Sequence, residues 1–305
     1  MTSSEITITF PSVWIDGETF DNSIKVSDWL HQEPASKVTF HFSNGCKVMV
    51  DTAVRILSLV HQLISCGKSV AFVFAEGHAG TMGYLDRIGF FDLLDPSVKI
   101  DPEKPSVSSA TIYRNASHNV MEIAKINPKG RDNSLPSRLS QKLANARTSG
   151  QDQLNTAAYT VFAELIDNIY QHASTVVDGY AALQVYPNGN RAKVVVCDSG
   201  TGILDTLRPT ITSERIKKLN DIDLILLILN DGLSRFGPNR GCGLKTSAFH
   251  AIKYNADLEI RLPKSLLKLV PKRQVYEKNT ASYAKNLPLI WGTHICFSFV
   301  LNSGA

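Results

Sequence analysis

Apolar and polar residues follow two different periods along the chain, and each change of period predicts a change of secondary structure. In the first hundred residues, runs rich in β-branched and aromatic residues are separated by stretches with apolar residues at helical spacing. Such alternation is typical of a small α/β domain, here expected to contain a mixed sheet. Strands are predicted at 5–10, 38–42 and 70–74, and helices at 51–66 and 83–94, the first capped by Asp51 or Thr52.

A pair of prolines, Pro102 and Pro105, interrupts regular structure and predicts a boundary between domains 1–104 and 105–305. The second domain again mixes strands with helices, so the fold class of the whole chain is predicted to be α/β. Its predicted strands are 110–114, 120–126, 192–199 and 294–301, and its predicted helices are 136–147, 152–173, 222–229 and 246–254.

Composition narrows the class of protein. A net charge of +4 over 305 residues is too small to indicate nucleic acid or an anionic membrane by itself. The 5 cysteines form no CxxC pair, which argues against a disulfide framework and a structural zinc site. No secretory signal is visible, and no window reaches the ~20 apolar residues of a membrane-spanning helix. We therefore expect a cytoplasmic protein without a membrane partner.

One segment departs from this mild charge balance. Residues 261–285 carry a run of basic side chains against a single acid, Glu277. This pattern is typical of a solvated hairpin or loop, and the alternative is a docking patch for an acidic partner. The basic residues are Arg261, Lys264, Lys268, Lys272, Arg273, Lys278 and Lys285.

Three patterns in the second domain carry candidate chemistry. On the helix 152–173, Glu164 and Asn168 are four residues apart and lie one above the other, opposite an apolar arc. The apolar run 194–197 ends at Asp198, and the glycine-containing turn that follows leaves room for a ring or phosphate near the backbone. Taken singly, such features more often belong to a solvent-exposed helix surface or to an ordinary strand-to-turn junction than to a ligand site.

The third pattern is a glycine-rich loop, residues 237–243, which leads into a predicted helix. Glycines at such a position expose free backbone N–H groups to an anion, and the helix dipole adds to the attraction. Lys245 in the first turn is unfavourable at a bare helix amino terminus, so its position favours a bound phosphate.

Taken in order, these segments resemble the motifs of the GHKL ATPases, the family of histidine kinases, anti-sigma serine kinases, DNA gyrase and MutL. Residues 162–173 resemble the asparagine box, 198–203 the first glycine box and 240–245 the second. Trp291-Gly292-Thr293, followed by the strand 294–301, resembles the closing segment of the family. The resemblance covers nearly all of 106–305 and implies a Bergerat fold, an α/β two-layer sandwich.

The resemblance also implies ATP and Mg²⁺ as cofactors and a role for each matching residue. Asn168 would hold Mg²⁺ through its amide oxygen, Glu164 would orient or deprotonate the nucleophile, and Asp198 would accept from the adenine amine. Residues 204–240 would form a mobile lid. The remaining cofactor-binding residues that the resemblance implies are Gly200, Gly202, Ile203, Gly241, Gly243, Leu244, Lys245 and Thr293.

The amino-terminal domain is similar to a STAS domain, the fold of anti-sigma-factor antagonists, between Val38 and Leu57. Asp51-Thr52-Ala53 matches the Asp-Ser-Ser with which that family starts a helix, and Ala53 stands where the family has its phospho-serine. A phospho-switch would therefore need Thr52 as the acceptor. An unrelated small α/β domain is the alternative.

The resemblances together imply a regulatory protein that hydrolyses ATP slowly or phosphorylates a protein partner on Ser or Thr. They are also compatible with a homodimer. A non-catalytic module, in which ATP gates a protein interaction, is the alternative. A nucleic-acid-associated ATPase is a third reading, and it would need the basic stretch 261–285 to bind DNA.

Overall fold

The computed structural model describes residues 5–26, 30–32, 36–127, 129–147, 150–172, 177–233 and 243–301. Its described elements form an α/β fold in which two sheets of different type are joined by helices. Within the described residues, no helix combines the length and the apolar character that crossing a membrane requires.

The amino-terminal region is built on a four-stranded parallel sheet. Its elements are β1 (Glu5–Phe10), β2 (Trp14–Ile15), α1 (Gly17–Ser23), β3 (Lys37–Phe42), β4 (Lys47–Val48), α2 (Val50–Ser65), β5 (Ser69–Phe74), α3 (Gly80–Arg87), α4 (Phe90–Leu93) and β6 (Lys99–Asp101). The strand order is β1-β3-β5-β6, and every neighbouring pair is parallel. The prediction of a mixed sheet was therefore wrong. Each connection contains a helix, and a helical crossover returns the chain in the same direction.

Alternation along these strands places their phenylalanine side chains on one face. Phe10, Phe42 and Phe74 lie side by side on adjacent strands, with ring centroids 5.0 and 4.5 Å apart. The same face packs against α2, whose residues from Val50 to Val60 are all buried. The three strands and the helix predicted at 51–66 are confirmed. The helix predicted at 83–94 is instead two helices, α3 and α4, which are separated at Gly89.

The carboxy-terminal region is built on a seven-stranded antiparallel sheet. Its elements are α5 (Ser109–Ile112), β7 (Val120–Ile126), α6 (Leu135–Asn145), α7 (Gln151–His172), β8 (Gly179–Tyr186), β9 (Arg191–Cys197), α8 (Ile203–Leu207), α9 (Glu214–Lys217), α10 (Asp221–Asp231), α11 (Gly243–Lys253), β10 (Asp257–Leu262), β11 (Ser265–Lys272), β12 (Val275–Ala284) and β13 (His294–Val300). The strand order is β12-β11-β10-β13-β9-β8-β7.

Most elements predicted here are confirmed, but the strand at 110–114 was wrong. That segment begins with α5, because the Ser108 side chain accepts a hydrogen bond from the Thr111 N–H and caps a short helix. The four helices predicted at 136–147, 152–173, 222–229 and 246–254 correspond to α6, α7, α10 and α11.

One face of the seven-stranded sheet packs against α6, α7, α10 and α11. The buried arc of α7 contains Val161, Phe162, Leu165, Ile166 and Ile169, which matches the apolar arc that the sequence predicted. The facing strand residues include Val194 and Val196 of β9 and Phe297 of β13. This packing leaves the polar arc of α7 directed away from the sheet.

The other face of the same sheet packs against α2. Tyr180 and Ala182 of β8, with Val195 and Cys197 of β9, belong to the apolar core that α2 and the parallel sheet form. Helix α2 is therefore a layer shared by both sheets. It is buried almost all round, although Asp51, Arg55, Ser58 and Gln62 form a polar stripe along one side of it. The two regions predicted as 1–104 and 105–305 have a continuous core between them.

Charged side chains are also buried in this shared layer. Asp21 of α1 accepts from Arg261 Nε and Nη2 of β10 at 3.0 and 2.9 Å, and its carboxylate is 3.8 Å from Arg55 Nη1 of α2. Arg55 also donates to Glu259 of β10. Both arginine side chains are fully buried. Arg261 is thus part of the core, although the sequence grouped it with the exposed basic stretch 261–285.

The amino end of α2 also differs from its prediction. Met49 is the cap residue and contributes no side-chain hydrogen bond, so neither Asp51 nor Thr52 caps the helix. The Asp51 carboxylate instead accepts from Lys193 Nζ of β9 at 3.0 Å. Thr52 is fully buried, so a phosphate on its hydroxyl would not fit the folded protein.

Candidate functional site

The carboxylate of Asp198 stands at the end of β9, where two loops meet. We call residues 198–203 the Asp198 loop and residues 291–293 the Trp291 loop. One Asp198 carboxylate oxygen accepts from the Gly200 N–H at 2.7 Å, and the other accepts from the Thr293 N–H at 3.3 Å. The Asp198 N–H donates to the Thr293 carbonyl at 3.1 Å. The two loops are thus joined through this one residue.

Burial raises the pKa of Asp198 to about 6, although the N–H groups of Gly200 and Thr293 act in the opposite direction. A carboxyl group with this pKa is mostly ionised at neutral pH, and it becomes protonated in mild acid. The site therefore presents a desolvated acceptor at pH 7. A ligand that donates a hydrogen bond to it would gain a charge-assisted interaction.

Two glycines make the approach of the loops possible. Gly292 has φ of 85°, and a Cβ atom there would lie 2.0 Å from the Asp198 carbonyl oxygen and 2.7 Å from Asp198 Oδ1. Gly202 has φ of 96°, and a Cβ there would lie 3.1 Å from Pro263. The Ile203 N–H then donates to Thr293 Oγ1 at 2.9 Å. Gly292 is required by this geometry, and it was missing from the predicted site residues.

We expect Gly292→Ala to reduce the free energy of unfolding by about 1–3 kcal/mol, the usual cost of one strained backbone residue. The new Cβ would overlap backbone atoms, which cannot rotate away as a side chain can. Gly189→Ala is the matched control, because a Cβ there would meet only Tyr186 Cβ, at 3.9 Å. Urea unfolding of both variants measures the difference. Equal stability of the two would contradict the close approach described here.

A second part of the site lies between α7 and α11. Glu164 and Asn168 are half-buried on the same face of α7, one turn apart. The Glu164 carboxylate lies against Gly243, the first residue of α11, where an added Cβ would be 2.2 Å from Glu164 Oε2. The pKa of Glu164 is raised by burial and by the charge of Asp167. A carboxylate with these surroundings is a better base than an exposed glutamate.

The remaining predicted site residues differ in what they can offer to a ligand. Leu244 has its side chain in the apolar core, so only its backbone is available to a ligand. Lys245 is exposed in the first turn of α11. Gly241 lies outside the described residues, as does 234–240 of the predicted lid. The described part of that lid, 204–233, contains α8 to α10 and packs Leu204, Leu207, Ile225 and Leu229 into the core.

The structure also identifies residues that no local pattern could indicate. Ser199 of the Asp198 loop is buried, and its hydroxyl accepts from Gln62 Nε2 of α2 at 3.0 Å. Gln62 also contacts the Trp291 loop. These contacts join positions far apart in the sequence, so spacing and periodicity give no signal for them.

The predicted magnesium site rests on Asn168 alone. In the described part of the chain, no group of three or more His, Cys, Asp or Glu side chains is arranged to hold a metal ion. The Asn168 amide oxygen is a type of ligand that Mg²⁺ takes, and Mg²⁺ commonly takes its other ligands from substrate phosphates and water.

Comparison of the chain with known protein families and with curated protein sequences finds no match. The site combines a half-buried carboxylate acceptor between two glycine-containing loops with a helix face that carries Glu164 and Asn168. The two parts belong to α7 and to the end of β9, which share one apolar core and are separated in sequence by β8.

Proposed function

We propose that the carboxy-terminal region is a Bergerat-type domain that binds Mg·ATP and transfers or hydrolyses its γ-phosphate. The observation that carries the proposal is the Asp198 carboxylate, desolvated at the end of a buried strand and fixed by N–H donors from Gly200 and Thr293. This acceptor suits the exocyclic amine of adenine. Glycines at 202 and 292 allow the two loops that hold this carboxylate to approach each other closely.

The phosphates would lie towards α11, whose amino end faces Glu164. N–H groups at the start of a helix attract anions, and Lys245 adds a positive charge in the same turn. Asn168 would hold the magnesium ion through its amide oxygen. When bound, that ion would neutralise charge on the phosphates.

Glu164 would act as the general base. It would accept the proton of a water molecule or of a Ser or Thr hydroxyl as that oxygen bonds to the γ-phosphorus. The bond from phosphorus to the bridging oxygen would break, leaving ADP. The raised pKa of Glu164 favours proton transfer, because the conjugate acid of a stronger base is more stable.

Asp198→Asn tests the nucleotide assignment. A charge-assisted hydrogen bond is worth about 1.5–3 kcal/mol, so ATP affinity should fall roughly 10- to 150-fold. The preference for ATP over GTP should also narrow, because an amide can donate to the guanine carbonyl. Wild-type affinity should weaken as the pH falls through about 6, where Asp198 becomes protonated, and the variant should lack this dependence.

Asp205→Asn is the control, since Asp205 is an exposed carboxylate on α8, a few residues further along the chain. Titration calorimetry with ATP and with GTP, at about pH 5.5 and about pH 7.5, gives four affinities for each protein. The two pH values lie on either side of the Asp198 pKa. A folded Asp198→Asn protein that binds ATP as tightly as Asp205→Asn would refute the assignment.

A further inference from the structure

Gln62 of α2 is the residue through which the amino-terminal region reaches the nucleotide loops. Its side chain is fully buried, and its Oε1 accepts from the Trp291 N–H at 2.9 Å. Its Nε2 donates to Ser199 Oγ at 3.0 Å and to the Trp291 carbonyl at 3.3 Å. One amide group of α2 is thus hydrogen-bonded to both the Asp198 loop and the Trp291 loop.

A second contact supports the same arrangement. His31 Nε2 lies 3.1 Å from Gln62 Oε1, and the His31 ring stacks on the Trp291 ring with centroids 4.9 Å apart. With His31 donating, both acceptor positions and both donor positions of the Gln62 amide are filled. A fully satisfied buried amide has one favourable orientation, so it holds its partners in a defined position.

The two loops are those that form the Asp198 acceptor. Ser199 directly follows Asp198, and Trp291 is two residues before Thr293, which donates to Asp198. A shift of either loop would change the direction of the Asp198 carboxylate. Affinity depends on how completely a pocket is formed before its ligand arrives.

We infer that Gln62 is a positioning residue that holds the Asp198 loop and the Trp291 loop together, so that the amino-terminal region sets nucleotide affinity. The inference rests on the proposed function. The regulatory connection consists of three hydrogen bonds between the Gln62 side chain and the two loops. Gln62 lies on α2, the helix that both sheets share. Any partner that moves α2 along its axis would alter the nucleotide site.

The test is Gln62→Met in the full chain, because methionine keeps the volume of the side chain and loses the amide. Tyr84→Phe is the matched control. It removes another hydrogen bond of the amino-terminal region to the seven-stranded sheet, from Tyr84 to Gln184 of β8, away from the loops. Two quantities are measured, the amide exchange rate of Trp291 without nucleotide and the affinity for ATP by calorimetry.

We expect the Trp291 amide to exchange faster in Gln62→Met, since its acceptor is removed, and ATP affinity to fall roughly 10-fold, equivalent to about 1.4 kcal/mol. Tyr84→Phe should change neither quantity. Unchanged affinity in Gln62→Met, or an equal loss in Tyr84→Phe, would overturn the inference while the proposed function stands. Absence of ATP binding by the wild-type protein would overturn both.

Should Gln62→Met fail to fold, Ser199→Ala tests the same connection from the other side. It removes only the hydroxyl that accepts from Gln62 Nε2. ATP affinity should then fall by a smaller factor, roughly 2- to 10-fold for one lost hydrogen bond. Wild-type affinity in this variant would count against the inference.

Discussion

Replacing Glu164 by glutamine should lower the rate of ATP turnover by a factor of about 10²–10⁴ while changing ATP affinity little, because a general base contributes to rate in that range. The Glu164 carboxylate of α7 lies against Gly243, the first residue of α11, close to where the γ-phosphate would be. Glutamine keeps the shape of the side chain and cannot accept the proton. Single-turnover assays with γ-labelled ATP, with and without cell extract, separate hydrolysis from transfer to a protein.

Asp167→Asn is the control for this prediction. Asp167 is on the same helix and pairs with Arg131 near the surface, and its charge raises the pKa of Glu164. If Glu164 is the general base, turnover requires its ionised form, and the rate should fall as the pH drops through its pKa. Removing the Asp167 charge should move this fall to lower pH and leave the rate at neutral pH nearly unchanged. Absence of turnover by the wild-type protein under all conditions would favour the non-catalytic, ATP-gated module.

The second large effect concerns stability. Asp21→Asn should reduce the free energy of unfolding by about 3–5 kcal/mol, because breaking a buried ion pair leaves a buried charge uncompensated. The variant would leave Arg55 and Arg261, both fully buried, with Glu259 as their nearest remaining counter-charge in the network. Urea unfolding measures the change, and equal slopes confirm that the two proteins unfold to the same extent.

The control is Asp178→Asn, which breaks the more exposed pair of Asp178 with Lys125. Such a surface pair is worth about 0–1 kcal/mol. If Asp21→Asn costs no more than Asp178→Asn, the buried network contributes little to the connection between α1, α2 and β10. A loss in the expected range would instead show that the buried Arg55 and Arg261 depend on the Asp21 carboxylate as their counter-charge.

Local patterns predicted α2, α6, α7, α10 and α11 and the strands with a clear period, but no strand range was predicted for β8, β10, β11 or β12. The apolar arc of α7 and the run 194–197 that became β9 both show a clear period over enough residues. The turn after β9 was also predictable, since Asp198, Gly200 and Gly202 lie within five residues of one another in the sequence. The strand predicted at 110–114 failed because the Ser108 cap outweighed a short apolar pattern.

Features that depend on distant residues were not predictable in this way. The buried state of Arg261 follows from Asp21, which lies on the helix α1 and is far away in sequence. The sequence therefore grouped this arginine with the exposed lysines that follow it. Gln62 was not predicted as a site residue for the same reason, because its position within α2 is that of an ordinary polar residue. Its role appears only when the Asp198 loop and the Trp291 loop are brought against it.

The position of β13 has a consequence for synthesis of the protein. This strand joins the half-sheet β7–β9 to the half-sheet β10–β12, pairing with β9 on one side and β10 on the other, yet it follows all of them in sequence. A nascent chain on the ribosome therefore exposes two apolar strand edges until residues 294–300 have emerged. Open edges of this kind pair readily with other chains. Ribosome stalling shortly before His294 would thus create a species that depends on chaperones for its solubility.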